Sequence, residues 1–268
     1  MMLLLPSQLK IKLGLKSSLK QLANKFGFEV MKKSREHVYH VYASLDQQAL
    51  LTHSNVEIIF DLGASVGNTA QEYHQLFPQA TIYAFEPSNN SFTSLVNNCH
   101  HCNLIKPYQL AIADSSGYQQ FFLNQASMTN SLLPTAVDSD KYVDSQLIKN
   151  IGTQEVNTIT LDEFCQQEKI STINLLKMDL QGGEVKALQG AINLLSNQSI
   201  DLIYTEVNFV SLYENQAYFW DVGSLLQQYN YRLFGLYNFY YSQAGVTMWG
   251  DAIFISSQLE QALQLQQK

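Results

Sequence analysis

The chain of 268 residues is 46% apolar and only 15% charged, a composition that supports a sizeable core and excludes extensive disorder. Its net charge is −7 although half of its 16 Lys and Arg residues lie in the first forty positions, so the remainder is strongly acidic, which argues against a broad nucleic-acid-binding face. With three cysteines, no secretory signal and no run of the roughly 20 apolar residues that cross a bilayer, we expect a cytoplasmic protein without a transmembrane segment.

The first predicted elements are helices in a basic segment. Residues 7–26 place apolar side chains at helical spacing with lysines between them, Gly27 ends this helix, and a second helical stretch covers residues 35–53. We therefore separate a basic helical N-terminal extension, residues 1–54, from a domain formed by residues 55–268. The first helix is a solvated face that covers a ligand cleft, a dock for a partner, or a peripheral contact with anionic lipid.

Strands and helices alternate from residue 56 onward. The predicted strands are residues 57–62, 81–85, 105–112, 158–160, 174–178 and 202–207, and the predicted helices are residues 68–77, 89–99, 162–168, 183–195 and 219–229. Alternation of this kind is typical of βαβ units and predicts an α/β fold with a doubly wound, mostly parallel, seven-stranded sheet.

Three segments interrupt this alternation. Residues 119–123 follow a Ser-Ser-Gly turn and are predicted to form a hairpin with the strand before them. Residues 124–157 show no clear period, and we predict an inserted loop with one short helix. The last two strands, residues 232–237 and 252–256, are joined by a loop, which predicts an antiparallel C-terminal hairpin at the sheet edge.

A glycine loop follows the first strand, where ligands bind in open parallel sheets. Three residues separate Gly63 from Gly67, which gives the pattern Gly-x-x-x-Gly, whereas a dinucleotide site has Gly-x-Gly-x-x-Gly. We therefore predict a ligand with an ammonium group and a carboxylate instead of phosphates. Asp61 would orient its amino-acid end, and the amides near Gly67, Asn68 and Thr69 would bind its carboxylate. The alternative is a strand-to-helix turn that merely requires glycine.

Two further acids follow the second and third strands. Glu86, which precedes Pro87 and lies about 20 residues past the glycine loop, is placed to bind both ribose hydroxyls of a nucleoside. The alternative for Glu86 is a solvent-exposed glutamate. Asp114 either bonds an adenine amino group or caps the Ser-Ser-Gly turn after it.

With these motifs in order, residues 56–256 resemble the FkbM family of S-adenosylmethionine-dependent methyltransferases. The resemblance rests on residues 60–69, 84–87, 111–117, 130–132, 159–164, 175–184, 204–207 and 251–255. The most family-specific part is Lys-x-Asp-x-x-Gly-x-Glu, matched by residues 177–184, although Gln181 stands where family members commonly have Glu. The resemblance implies a Rossmann-like class I methyltransferase fold and O-methylation of a hydroxyl on a sugar, glycan or other secondary metabolite.

The resemblance also assigns S-adenosylmethionine as the cofactor. The candidate cofactor-binding residues are Asp61, Gly63, Ala64, Gly67, Asn68, Thr69, Glu86, Pro87 and Asp114.

Two carboxylates are candidates for the chemistry. Asp179 and Glu206 follow the fourth and fifth strands of the sheet, and one of them, in the first place Asp179, would position or deprotonate the acceptor hydroxyl. Lys177 lies two residues before Asp179 on the same strand face and would pair with a carboxylate. The alternatives are a helix cap for Asp179 and a buried structural acid for Glu206.

Metal sites are not expected. A magnesium ion between Asp179 and Glu206 would need a third ligand that the sequence does not show, and the Cys99–Cys102 cluster has no second ligand pair for zinc. The aromatic residues 237–241 and 248–251 form either a specificity loop or a hairpin packed on the core.

Two other functions remain as alternatives. One is a catalytically silent module that binds a partner or a membrane surface, which Gln181 and the basic N-terminal segment would favour. The other is a nicotinamide-dependent oxidoreductase, which the glycine spacing argues against.

Overall fold

The computed structural model describes residues 42–52 and 54–265. The predicted helix at residues 7–26 and most of the basic extension lie outside the described residues. Within residues 42–52 and 54–265, no helix combines the length and apolar character that a membrane crossing requires.

The described residues form eight α-helices and ten β-strands. The helices are α1 (Ala43–Leu51), α2 (Asn68–Leu76), α3 (Asn89–Cys99), α4 (Leu161–Glu168), α5 (Glu184–Gln189), α6 (Ile192–Ser196), α7 (Phe219–Gln228) and α8 (Ser257–Leu265). The strands are β1 (Ile58–Leu62), β2 (Thr81–Phe85), β3 (Ile105–Tyr108), β4 (Ala111–Ile112), β5 (Gly117–Asn124), β6 (Asn150–Ile159), β7 (Ile173–Met178), β8 (Ile200–Asn208), β9 (Tyr231–Tyr241) and β10 (Thr247–Ser256).

Seven strands form the main sheet, in the order β3-β2-β1-β7-β8-β10-β9. The first five are parallel, whereas β10 runs antiparallel to both β8 and β9. This arrangement confirms the doubly wound sheet with an antiparallel C-terminal hairpin. Strand order reverses between β1 and β7, so the crevice in which such folds bind ligands lies at the carboxyl ends of these two strands.

Both faces of the main sheet are buried. Phe60, Leu176 and Ile203 contribute to the core on one face, while Ile59 and Leu175 contribute to the core on the other. Such two-sided burial explains why the parallel strands read as apolar runs instead of alternating patterns.

The predictions for residues 105–159 need correction. The strand predicted at residues 105–112 is two strands, because β3 lies at the edge of the main sheet whereas β4 belongs to a second sheet of order β4-β6-β5. Strand β5 pairs antiparallel with β6, not with the strand before it. Residues 150–157, predicted as loop, belong to β6. Most of β6 is polar and only its end is buried, so no apolar alternation marks it as a strand.

The predicted helix at residues 183–195 is two short helices, α5 and α6. A β-carbon on Gly190, which ends α5, would lie 2.2 Å from the carbonyl oxygen of Ala113. The chain therefore turns at this glycine to pass close to the strand-end backbone, and a single continuous helix does not form. Helix α8 after the last strand was not predicted.

Candidate functional site

The two glycines of the loop after β1 are required by close packing. A β-carbon on Gly63 (φ +75°) would lie 2.0 Å from the carbonyl oxygen of Asp179, and one on Gly67 (φ +92°) would lie 2.8 Å from Cys99 Sγ. The amides of Gly63 and Ala64 donate to the carbonyl of Phe85, at 3.0 and 2.9 Å. The loop is thus held between β2, β7 and α3, and its backbone conformation is set before any ligand binds.

Replacing Gly63 by alanine is expected to lower the free energy of unfolding by about 2 kcal/mol or more, because a β-carbon meets backbone at a left-handed position. Urea denaturation measures this change. Gly223→Ala is the matched control: Gly223 lies inside α7 with open space around it, so alanine should stabilise the protein by roughly 0.5–1 kcal/mol. An unchanged unfolding midpoint for Gly63→Ala would show that the loop is not tightly held.

A buried ion pair lies beneath this loop. Asp61 and Lys177 are paired across β1 and β7, and Lys177 Nζ lies 2.9 Å from Asp61 Oδ1. The ammonium also donates to the carbonyls of Leu62 (3.3 Å) and Gly63 (3.0 Å). Burial lowers the pKa of Lys177, but the carboxylates of Asp61 and Asp179 outweigh burial and raise it above its usual value. Lys177 is therefore a charged clamp on the glycine loop.

A first cavity opens between the glycine loop, the end of β2 and the second sheet. Its polar side is formed by Gly63, Ser65 and Glu86. Glu86 is buried; its Oε2 accepts from the amide of Ser65 (3.0 Å) and its Oε1 from the amide of Ser88 (2.9 Å). Burial raises the pKa of Glu86 to about 7. The arrangement presents a fixed carboxyl group to the cavity, which suits a ligand with neighbouring hydroxyls.

The opposite side of the first cavity is apolar. Ile112 of β4 and Phe121 of β5 line it together with Leu132, so the second sheet closes the site. A slot of this kind suits a flat ring. Asp114 is exposed, accepts from the Ser115 hydroxyl (3.1 Å) and lies outside the lining.

A second cavity, of about 320 Å³, lies where β7, β8 and β10 face α1 and α2. Its lining includes the acids Glu72, Asp179, Glu206 and Asp251, the base Lys177, and the polar side chains of Gln47, Thr69 and Tyr204. Asp179 lines the first cavity as well. The two cavities therefore adjoin at Asp179.

Gln181 joins the two candidate catalytic carboxylates. Its Nε2 donates to Asp179 Oδ1 at 2.7 Å and to Glu206 Oε2 at 3.2 Å, and its Oε1 accepts from the Tyr213 hydroxyl at 2.7 Å. Burial, and then repulsion from Asp179 and Glu184, hold the pKa of Glu206 well above its usual range. The pair thus favours a protonated Glu206 beside Asp179, with Gln181 fixing the orientation of both.

The residues after Asp179 form a loop that Glu184 stabilises. Its buried carboxyl accepts from the amide of Leu180 at 2.8 Å, and burial raises its pKa to about 7. Gly182 (φ +94°) packs so closely that a β-carbon would lie 2.9 Å from Cβ of Gln216. The backbone around Asp179 is therefore held in place by Lys177, Gly182 and Glu184. This gives a physical reason for the Lys-x-Asp-x-x-Gly-x-Glu pattern.

The structure brings most of the candidate residues to one edge of the sheet. Gly63, Glu86, Pro87 and Asp179 line the first cavity, and Thr69, Lys177, Asp179 and Glu206 line the second. Ala64, Gly67 and Asn68 form the loop between them, and Asp61 is buried beneath it.

Several residues of the site were not among the candidate site residues taken from the sequence. The cavity linings also include Ser65, Phe121, Tyr204 and Asn238, and the Tyr213 hydroxyl donates to Gln181. No local signal marks Phe121, because its strand joins the site only through pairing with β6.

One residue of the histidine and cysteine cluster at residues 99–102 has a packing role. Cys99 is buried against Gly67, and no three His, Cys, Asp or Glu side chains converge as a possible metal site within the described part of the chain.

Comparison with known proteins shows that the chain is similar to methyltransferases. A family profile described as "Methyltransferase FkbM domain" matches residues 61–233, more than half of the chain. The chain is 26% identical over 213 residues to the 2-O-methyltransferase NoeI of Sinorhizobium fredii, covering 77% of this chain and 84% of that protein. It is 24% identical over 153 residues to the hexuronic acid methyltransferase AglP of Haloferax volcanii, covering 57% of this chain and 56% of that protein.

The crystal structure of Methyltransferase FkbM from Methylobacillus flagellatus matches with a TM-score of 0.48 and 13% identity, over 75% of this chain and 44% of that one.

Proposed function

Because the chain belongs to the FkbM methyltransferase family, we propose that it transfers a methyl group from S-adenosylmethionine to a hydroxyl of a sugar, glycan or other metabolite. The observation that carries this proposal is the meeting of two cavities at Asp179. Methyl transfer requires a donor and an acceptor held in line at one point, and two adjoining cavities with a shared carboxylate provide that arrangement.

The first cavity fits the donor. The Glu86 carboxylate would accept hydrogen bonds from both ribose hydroxyls, the apolar slot of Ile112, Phe121 and Leu132 would hold the adenine, and the amides after Gly67 would bind the carboxylate of the amino-acid end. When bound, S-adenosylmethionine supplies a methyl group on a cationic sulfur, which leaves as a neutral thioether. The protein's own residues must then orient the acceptor and remove its proton.

Asp179 is the proton acceptor in this proposal. Gln181 donates to Oδ1 of Asp179, while Oδ2 accepts no hydrogen bond from the described residues and lies open to the acceptor hydroxyl. As the acceptor oxygen bonds to the methyl carbon, its proton passes to Asp179 Oδ2. The raised pKa of Glu206 supports this role, because a protonated Glu206 would add no second negative charge beside the base.

Gln181 is compatible with catalysis in this arrangement. Its amide donates to both carboxylates, so it positions the base although it carries no charge. The catalytically silent module therefore gains no support from this residue.

Calorimetric titration tests the donor assignment. We expect S-adenosylmethionine and S-adenosylhomocysteine to bind at pH 8 and to bind about tenfold more weakly at pH 6. The sign follows from Glu86: its pKa is raised to about 7, the ionised form accepts the ribose hydroxyls, and below pH 7 the site holds a proton that binding must expel.

The matched variant is Glu86→Gln, which should bind weakly at both pH values with little pH dependence. Absence of binding of either molecule to the wild-type protein at pH 8 would overturn the proposed function.

A further inference from the structure

The second cavity has a row of side chains that the donor site does not use. Glu206 and Asp251 are register partners on the antiparallel strands β8 and β10, and Tyr204 lies two residues before Glu206 on the same strand face. All three line the cavity, next to Asp179. Asp251 is therefore a near neighbour of the residues proposed to act on the acceptor.

Asp251 is held in a fixed orientation. The Tyr204 hydroxyl donates to Asp251 Oδ2 at 2.6 Å, and Asn238 Nδ2 donates to the same oxygen at 2.7 Å. Asn238 has a left-handed backbone (φ +48°) and lies in a bulge of β9. At this bulge β9 advances three residues while its partner β10 advances two. Bulges near active sites re-aim side chains, and this one directs the amide of Asn238 to Asp251.

The cavity presents hydrogen-bond acceptors that lack donors. Asp251 Oδ1 and Asp179 Oδ2 accept no hydrogen bond from the described residues. Gln47, 2% exposed and part of the cavity lining, has an Oε1 atom without a hydrogen-bond partner in the described chain. A buried acceptor such as Gln47 Oε1 is normally satisfied, and the half-buried Asp179 and Asp251 have oxygens available to a ligand, so the lining suits a ligand rich in O–H or N–H donors.

The charge of the described cavity lining disfavours one class of acceptor. Among the described residues of the lining, four are acids and the single base, Lys177, is bonded to Asp61 and to two backbone carbonyls. A carboxylate or phosphate in the cavity would lie beside carboxyl groups such as those of Asp179 and Asp251, with no unpaired cation among the described lining residues. A ring with neutral hydroxyls meets neither obstacle.

We propose that the second cavity binds the acceptor as a polyhydroxylated ring without an anionic group, and that Asp251, positioned by Tyr204 and Asn238, accepts hydrogen bonds from hydroxyls next to the one that is methylated. This inference rests on the proposed function and adds the acceptor's chemistry and a specificity-determining residue to it. Asp179 removes the proton, and Asp251 orients the ring.

A panel of methyl glycosides tests the inference. The probes are a neutral hexose, a 6-deoxyhexose and the matching uronic acid, each incubated with the full-length protein and S-adenosylmethionine at pH 8 and analysed for methylated product by mass spectrometry. We expect methylation of at least one neutral probe and at least tenfold lower kcat/KM for the uronic acid.

Variants then assign the discrimination to Asp251. Asp251→Asn should raise KM for the best neutral probe about tenfold to a hundredfold and lower the preference for that probe over the uronic acid. The affinity for S-adenosylhomocysteine should stay within twofold of the wild-type value. Tyr204→Phe should raise KM by a smaller factor, since it only orients Asp251. Glu155→Gln, on the exposed part of β6, is the matched control and should change nothing.

Each contrary outcome is decisive. Preferential methylation of the uronic acid, or an unchanged KM in Asp251→Asn, would overturn the inference. So would the absence of any methylated probe from a protein that binds S-adenosylhomocysteine. A protein that does not bind S-adenosylhomocysteine would instead overturn the proposed function itself.

Discussion

Replacing Asp179 by asparagine is expected to lower kcat by a factor on the order of 100 to 10,000 while leaving the affinity for S-adenosylhomocysteine within a few fold. The change keeps the size of the side chain but removes the base that receives the acceptor proton, and a positioned base contributes about that factor. Steady-state methyl transfer and calorimetric titration on the same preparation separate the two effects.

Glu206→Gln is the informative companion to this variant. The pKa of Glu206 is raised well above its usual range by burial and by Asp179, which favours the neutral form of the native side chain. Its amide analogue should therefore lose less than tenfold in kcat. Equal losses in the two variants, or a kcat of Asp179→Asn within threefold of the wild type, would show that Asp179 is not the base.

Glu86→Ala is expected to weaken S-adenosylmethionine and S-adenosylhomocysteine binding by a factor on the order of a hundred or more. Two hydrogen bonds from ribose hydroxyls to a charged acceptor would be lost, and each such bond contributes roughly 1.5–3 kcal/mol. The amides of Ser65 and Ser88 would also lose their acceptor, so the loop and strand end that shape the first cavity would be less fixed.

Calorimetric titration at pH 8 measures the loss, and circular dichroism establishes that the variant is folded. Glu155→Gln again provides the control, because Glu155 is exposed and is not part of the lining of either cavity. A dissociation constant within threefold of the wild-type value would remove Glu86 from the donor site.

The central part of the fold was predictable because its signals are local. Each buried parallel strand is an apolar run, and each of β1, β2, β7 and β8 has a glycine or an acid at its carboxyl end or just after it. In a parallel sheet these ends share one edge, so Gly63, Glu86, Asp179 and Glu206 were placed together without knowledge of any contact.

The second sheet could not be predicted in the same way. Strand β6 is largely polar and is a strand only because β4 and β5 pair with it on either side. Phe121 reaches the first cavity through that pairing. The apolar side of this cavity therefore depends on long-range hydrogen bonding that no window of the sequence displays.

The glycine loop combines features that the sequence alone determines with features that only the tertiary structure decides. The order of Gly63, Gly67 and Glu86 along the chain was enough to predict a nucleoside site after β1, because strand ends and glycine turns are local properties. That Lys177 clamps this loop, and that Asp251 stands beside Glu206, was decided by the register of neighbouring strands. Register depends on how whole faces pack against the core, which is a property of the folded molecule and not of any segment.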